Sequence, residues 1–308
     1  MTGGEPDRPD RREEVRLEID PEPAGLGRVA LWLERSRVAR NKIEAARQRH
    51  ASLDFGFTVY ERDASIGGGL LAGALAYRFF VLLLPTALLF VSGIGLYADA
   101  AHKSTREAAR EAGLQGLIAS QVASTASGSA RWAVFLVSVP VVLYASARLY
   151  RAIGITHALA WHGSGRGVRT TPRGVGLLLV LLFLTIVAVE LGGFARRHID
   201  FGDLIALAIY IALVGGGWLV LSHELPHGDV GWSALLPGAL VAGTGLLFVN
   251  VFNVYVTTRL VEDRADTYGA LGIAAALLFS LVLVGRVIVL SAELNSEVDH
   301  RRRGSTSP

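Results

Sequence analysis

The sequence predicts an all-α fold: a polytopic membrane bundle of six transmembrane helices, preceded by amphipathic interfacial helices. Two observations carry this. The stretch 66–97, IGGGLLAGALAYRFFVLLLPTALLFVSGIGLY, holds a single ionisable group besides its tyrosines, Arg78. It is longer than the about 20 residues that cross about 30 Å of hydrocarbon. The whole chain agrees with it, since 51% of its 308 residues are hydrophobic and mean hydropathy is +0.42. That composition belongs to membrane proteins.

Residues 1–27 are polar, mixed in charge and rich in Pro and Gly, which predicts a disordered tail. They contain no apolar h-region, so no cleavable signal peptide is expected. Residues 28–65 come next. Trp32, Ala39, Ile43 and Ala46 fall near one helical face, while Arg28, Arg35, Arg37, Arg40, Lys42, Arg47 and Arg49 dominate the others. A basic amphipathic helix beside a span reads as a segment lying on anionic lipid. An ordinary solvated helix or a nucleic-acid contact is the alternative, and no nucleic-acid partner is expected. In 51–65, Leu53, Phe57 and Tyr60 lie close to one face, at the interfacial depth that aromatic rings favour.

After the first span, residues 99–131 carry Arg106, Glu107, Arg110 and Glu111 and are too polar to cross. A helical extramembrane loop resting on the bilayer surface is expected. Five spans follow. They are 132–150, broken by Pro140; 174–193, with Glu190 near its end; and 204–222, with Gly215, Gly216 and Gly217 inside it. The last two are 234–256, carrying Pro237, Asn250 and Asn253, and 271–294, carrying Arg286 and Glu293. The membrane domain is therefore 66–294. Residues 295–308, with Arg301, Arg302 and Arg303, read as a disordered basic cytoplasmic tail.

Orientation follows the distribution of basic residues in short loops. The loop between spans two and three offers Arg148, Arg151, Arg166, Arg169 and Arg173 without an acid, a cytoplasmic signature. Six spans then put both termini inside. The short loop 223–229 has no Lys or Arg and favours neither side. Small residues should let helices approach in lipid. The candidates are Gly69 and Gly73 in span one, Ala234, Gly238 and Ala242 in span five, and Gly272 and Ala276 in span six.

The chain has no cysteine, which excludes disulfides, thiolate metal sites, iron–sulfur clusters and cysteine nucleophiles. No Walker loop or GxSxG is present. His223-Glu224-Leu225-Pro226-His227 fits H-E-x-x-H, the zinc-hydrolase pattern that needs both histidines on one helical face. Pro226 opposes a continuous helix there, so a turn with two polar histidines is expected, and no metal, cofactor or catalytic residue is assigned. Charges inside a membrane cost about 2.5–3.5 kcal/mol each on insertion scales, so those present need partners or water. Arg78, Glu190, Asn250, Asn253, Arg286 and Glu293 form the candidate polar pathway or bundle network. Arg78 sits near mid-bilayer, with Glu293 as a candidate partner. Glu190 sits near the outer end of span three, where Asn250 and Asn253 could hydrogen-bond to it. The bland alternative is that Glu190 and Glu293 reach the interface and Arg286 snorkels.

Several short runs also resemble a known family. They are LAGALAYRFFVLLLP from Leu71 to Pro85, ARLYRAIGITHA near Arg148, ALLPGALVAG from Ala234, YGALG from Tyr268, and SAELN from Ser291 to Asn295. Their order and spacing, over about residues 53–298, resemble the YihY/BrkB family of bacterial inner-membrane proteins, once labelled ribonuclease BN. The matching positions are Ala76, Tyr77, Pro85, Pro237, Gly238, Tyr268, Gly269, Glu293 and Asn295. This chain has Ser291 where the family usually has Gly, Arg286 where an aromatic residue is common, and His227 where the loop is usually basic. The resemblance implies a six-span plasma-membrane protein linked to envelope integrity, with transport of lipid or lipid-linked glycan suspected and no settled catalytic residues. The function expected is transport or flipping of an amphiphilic envelope molecule, with membrane lipids, anionic ones above all, as partners. A non-transporting scaffold is the rival, and a membrane zinc hydrolase at His223, Glu224 and His227 a third reading.

Overall fold

The computed structural model describes residues 49, 51–102, 104, 129–161, 165, 167–228 and 230–304; the side chains of 51–53, 129, 255–273 and 304 lie outside the described set. Contacts divide the chain after Phe57. Of the first unit, only Arg49 and residues 51–57 are described. The 1–27 tail, most of the basic 28–50 segment and most of the 99–131 loop therefore lie outside the described residues.

Helix α1 is Ala51–Ile66 and α2 is Gly68–Ala100. Gly67 parts them with φ of +69°, a left-handed conformation that costs glycine little. Then follow α3 (Ser129–Ala160), α4 (Pro172–His198) and α5 (Gly202–Tyr210). A π-helical turn (Ile211–Gly215) leads into α6 (Gly216–Glu224), and α7 is Trp232–Gly304. No strand occurs among the described residues. Six segments are long and apolar enough to cross a membrane: Gly68–Ala100, Ala130–Ala160, Pro172–His198, Gly202–Glu224, Trp232–Val254 and Ala274–Arg303. They correspond one for one to the six expected spans, so the all-α polytopic bundle is what the chain forms.

Helix α7 is assigned helical over 73 residues, yet Gly238 N donates to Asn295 Oδ1 at 2.6 Å, 57 positions further on. On a straight helix those residues would stand about 85 Å apart. The chain must therefore double back between its two apolar segments, which run side by side.

α2 packs on α3 and on α7, and α4 packs on α5 and α6. The buried core includes Leu75, Leu149, Leu178, Trp218, Leu221 and Val289. Large apolar side chains such as Leu70, Leu84, Phe183 and Phe248 face outward. In water that surface would be a liability, and in lipid it is the expected one. Backbones approach where small residues allow it. A Cβ on Gly285 would collide with the Ala72 carbonyl, and one on Gly238 with the Ser291 carbonyl and the Asn295 side chain. Gly215, the last residue of the π-helical turn, lies against Ala239 and Gly243.

Three expectations need correction. Pro140 does not break span two, because α3 runs through it to Ala160. One lost intrahelical bond is tolerable where neighbouring helices surround it. Among the described residues, Gly69 and Gly73 meet nothing within 4 Å, and both are exposed. The buried stripe of α2 is Gly68, Ala72, Leu75 and Ala76, and a shift of one residue turns a side chain about 100° away from it. Residues 295–304 are not a disordered tail, because α7 continues to Gly304. Asn295, Ser296 and Glu297 are buried, and Arg301–Glu297 and Arg303–Asp299 pairs, both at 2.8 Å, support the last turns. Helix α1 buries the polar pair Arg62 and Asp63.

Candidate functional site

In six alternating spans, the starts of α2, α4 and α7 and the ends of α3, α6 and α7 share one end of the bundle. A buried charge network occupies that end. The α1–α2 junction supplies Arg62 and Asp63, and the last third of α7 supplies Arg286, Ser291, Glu293, Asn295, Ser296 and Glu297.

Arg286 holds Asp63 in a fork. Its Nη1 lies 2.8 Å and 3.0 Å from the two carboxylate oxygens, and its Nη2 lies 3.0 Å from Oδ2. This bidentate geometry is the strong form of an ion pair. Arg62 is buried, with Nη1 donating to Glu297 Oε2 at 3.3 Å and Nη2 to Ser296 Oγ at 2.8 Å and to the Ala160 carbonyl at 2.9 Å. The last contact satisfies a carbonyl at the C-terminus of α3, where a cation also suits the helix dipole. Glu297 is met from its other side by Arg301 Nε at 2.8 Å.

Glu293 lies between these pairs. Its side chain is 0% exposed, and neither carboxyl oxygen receives a hydrogen bond among the described residues. Asp63, Arg286 and Arg62 are the charged groups around it. Helical spacing explains the placement: Arg286 and Glu293 are seven residues apart, two turns on one face. Nearby, Trp218 Nε1 donates to Ser291 Oγ at 2.7 Å. His157, fully buried, has its ring 5.9 Å from Trp218, and neither ring nitrogen has a hydrogen-bond partner among the described residues.

The structure joins some of the expected site residues and separates others. Arg286 and Glu293 share the network. Arg78 does not reach it. It stands ten residues beyond Gly68, roughly 15 Å along the helix, whereas Glu293 lies beside Asp63 before that helix begins. Arg78 is half-buried at the edge of the buried stripe of α2. Its guanidinium lies 5.8 Å from the Tyr77 ring, and it forms no ion pair or hydrogen bond among the described residues. Glu190 is exposed, because α4 buries Ala188 and Gly192 and a step of two residues turns the side chain about 200° away. Neither asparagine serves it: Asn250 sits by the Tyr210 hydroxyl, and Asn253 accepts from Ser280 Oγ.

Of the motif positions, Ala76 and Pro85 are buried in α2, Tyr77 is exposed, and Pro237 lies inside α7 beside buried Gly238. The side chains of Tyr268 and Gly269 lie outside the described set. The HELPH run is not a helical face, since α6 ends at Glu224 and Leu225 is extended. The His223 ring stacks on Trp232 at 4.1 Å, the His227 ring meets Trp161 at 6.4 Å, and Glu224 pairs with exposed Arg173 at 3.5 Å.

Sequence reasoning missed Arg62, Asp63, His157 and Glu297. Arg62 and Asp63 lie in a polar Glu-Arg-Asp run that reads as solvated. The available signal was indirect: Arg286 and Glu293 needed partners, and these are the nearest charges preceding span one.

No curated protein and no solved structure matches the chain. The profile described as Virulence factor BrkB matches residues 59–308, which takes in all six spans and the whole charge network. The chain belongs to the virulence factor BrkB family.

Proposed function

We propose that this integral membrane protein moves an amphiphilic, anionic lipid or lipid-linked envelope molecule across a bacterial inner membrane, with both termini in the cytoplasm. The observation that carries the reading is Arg78. A cation placed this far along an apolar helix is expensive unless something meets it. Its neighbours supply one aromatic face and no carboxylate among the described residues. An anionic headgroup would meet it, with the apolar flank of α2 accommodating the acyl chains. The reading is non-enzymatic; α6 ends at Glu224, so His223 and His227 do not lie on one helical face.

The rival is a scaffold for envelope machinery. Complementation separates the two. In a strain lacking the gene and sensitive to envelope stress, Arg78→Leu should insert at normal abundance and fail to restore resistance, and Arg78→Lys should restore part of it. Full restoration by Arg78→Leu would contradict the transport reading.

A further inference from the structure

The transport reading leaves the HELPH run without a role. In a zinc hydrolase the helix itself brings two histidines four residues apart onto one face. Here the chain leaves the helix, since α6 ends at Glu224 and Leu225 takes φ of −80° and ψ of 157°. The turn nevertheless returns the second ring to the first. The centroids of the His223 and His227 rings lie 5.3 Å apart, with 43° between the ring planes. An ion bound tetrahedrally, about 2.0–2.1 Å from one nitrogen of each of two imidazoles, sets their centroids about 5 Å apart.

Both rings are held where they are. His227 Nδ1 lies 2.7 Å from the Leu225 carbonyl oxygen. A carbonyl only accepts, so the neutral ring carries its proton on Nδ1 and keeps its lone pair on Nε2. A backbone carbonyl fixing the tautomer in this way is how metal-ligating histidines are oriented. Trp161 stands edge-on to the His227 ring, and Trp232 stacks on the His223 ring with 28° between the planes. Both histidines are half-buried and Trp232 is exposed, so the pair is open to an ion from the bundle end. The neighbouring carboxylate, Glu224, is paired with Arg173 at 3.5 Å. Among the described residues no group of three His, Cys, Asp or Glu side chains is placed to hold a metal.

We propose that His223 and His227 bind one divalent transition-metal ion, zinc above all, with water completing its coordination. Imidazole nitrogen suits this class of ion, and the ring spacing suits the tetrahedral geometry of zinc. The site differs from that of a zinc hydrolase in having two protein ligands, brought together by a turn. Its ion would pin the connection between spans four and five, because His223 lies on α6 and His227 lies in the segment that leads to α7. The proposal does not depend on the transport reading, since bound metal is measured whether or not anything is transported.

The test is titration calorimetry of the full-length, metal-free protein in detergent with zinc chloride, together with zinc-edge X-ray absorption of the loaded protein. The expected result is one zinc per chain, with an absorption spectrum showing two imidazole ligands and oxygen. Binding should be lost in His223→Ala and in His227→Ala and kept in His198→Ala, whose histidine is exposed at the other end of the bundle. Absence of zinc binding by the unaltered chain, or binding kept in folded His227→Ala, would overturn the proposal. If neither variant folds, the spectrum of the unaltered chain decides: a zinc without two imidazole ligands also overturns it.

Discussion

Replacing Arg286 by Met isolates the contribution of the fork to Asp63. The substitution keeps much of the side-chain length while removing the charge. It leaves Asp63, whose side chain is 10% exposed, without its cation and still beside Glu293. Removing one partner of a buried pair costs about 3–5 kcal/mol. The Arg286 side chain is 32% exposed, so water reaches part of the pair and the low end, about 3 kcal/mol, is expected. Asp63→Leu in the same chain should recover most of that loss, because a matched apolar pair leaves no orphaned charge. The assay is a double-mutant cycle by SDS-driven unfolding in mixed micelles, followed by tryptophan fluorescence. A cost below about 1 kcal/mol for Arg286→Met, or additive single substitutions, would refute the argument that the fork ties span one to span six.

Gly238→Val should sharply lower membrane abundance and melting temperature, because its side chain would enter the space of the Ser291 carbonyl and Asn295. Gly73→Leu should leave both unchanged, since nothing stands within 4 Å; a destabilised Gly73→Leu protein would restore the small-residue contact read from the sequence. Trp218→Phe should cost about 1 kcal/mol or somewhat more in the same unfolding assay, by leaving the buried Ser291 hydroxyl without its donor. A single cysteine at Ser305, in a chain that otherwise has none, should resist an impermeant thiol reagent in intact cells. Labelling there would place the C-terminus outside and invert the orientation.

The spans were legible because length and apolarity are local properties, and any stretch like 66–97 declares itself. Arg286 and Glu293 were legible for the same reason, since a charge within an apolar run stands out. Their partners were not. Arg62 and Asp63 gain their meaning only when α1 is folded against α7, a contact across more than two hundred residues that no local pattern announces. Helical phase decided the remaining differences. Glu190 and Gly73 each sit off the buried stripe of their own helix, and a spacing motif does not say which way it will face. The end of α7 read as a tail because Asn295, Glu297 and the arginines are polar. Yet Asn295 Oδ1 accepts from Gly238 N, and Glu297 and Asp299 pair with Arg301 and Arg303.

The most direct test of the account is reconstitution of the purified protein into liposomes containing a labelled anionic lipid, with a zwitterionic lipid as the comparison. Movement of the anionic lipid between leaflets that falls at least tenfold in Arg78→Leu, at equal protein incorporation, is the predicted result. Movement equal in the two proteins, or no movement above empty liposomes, would contradict the account.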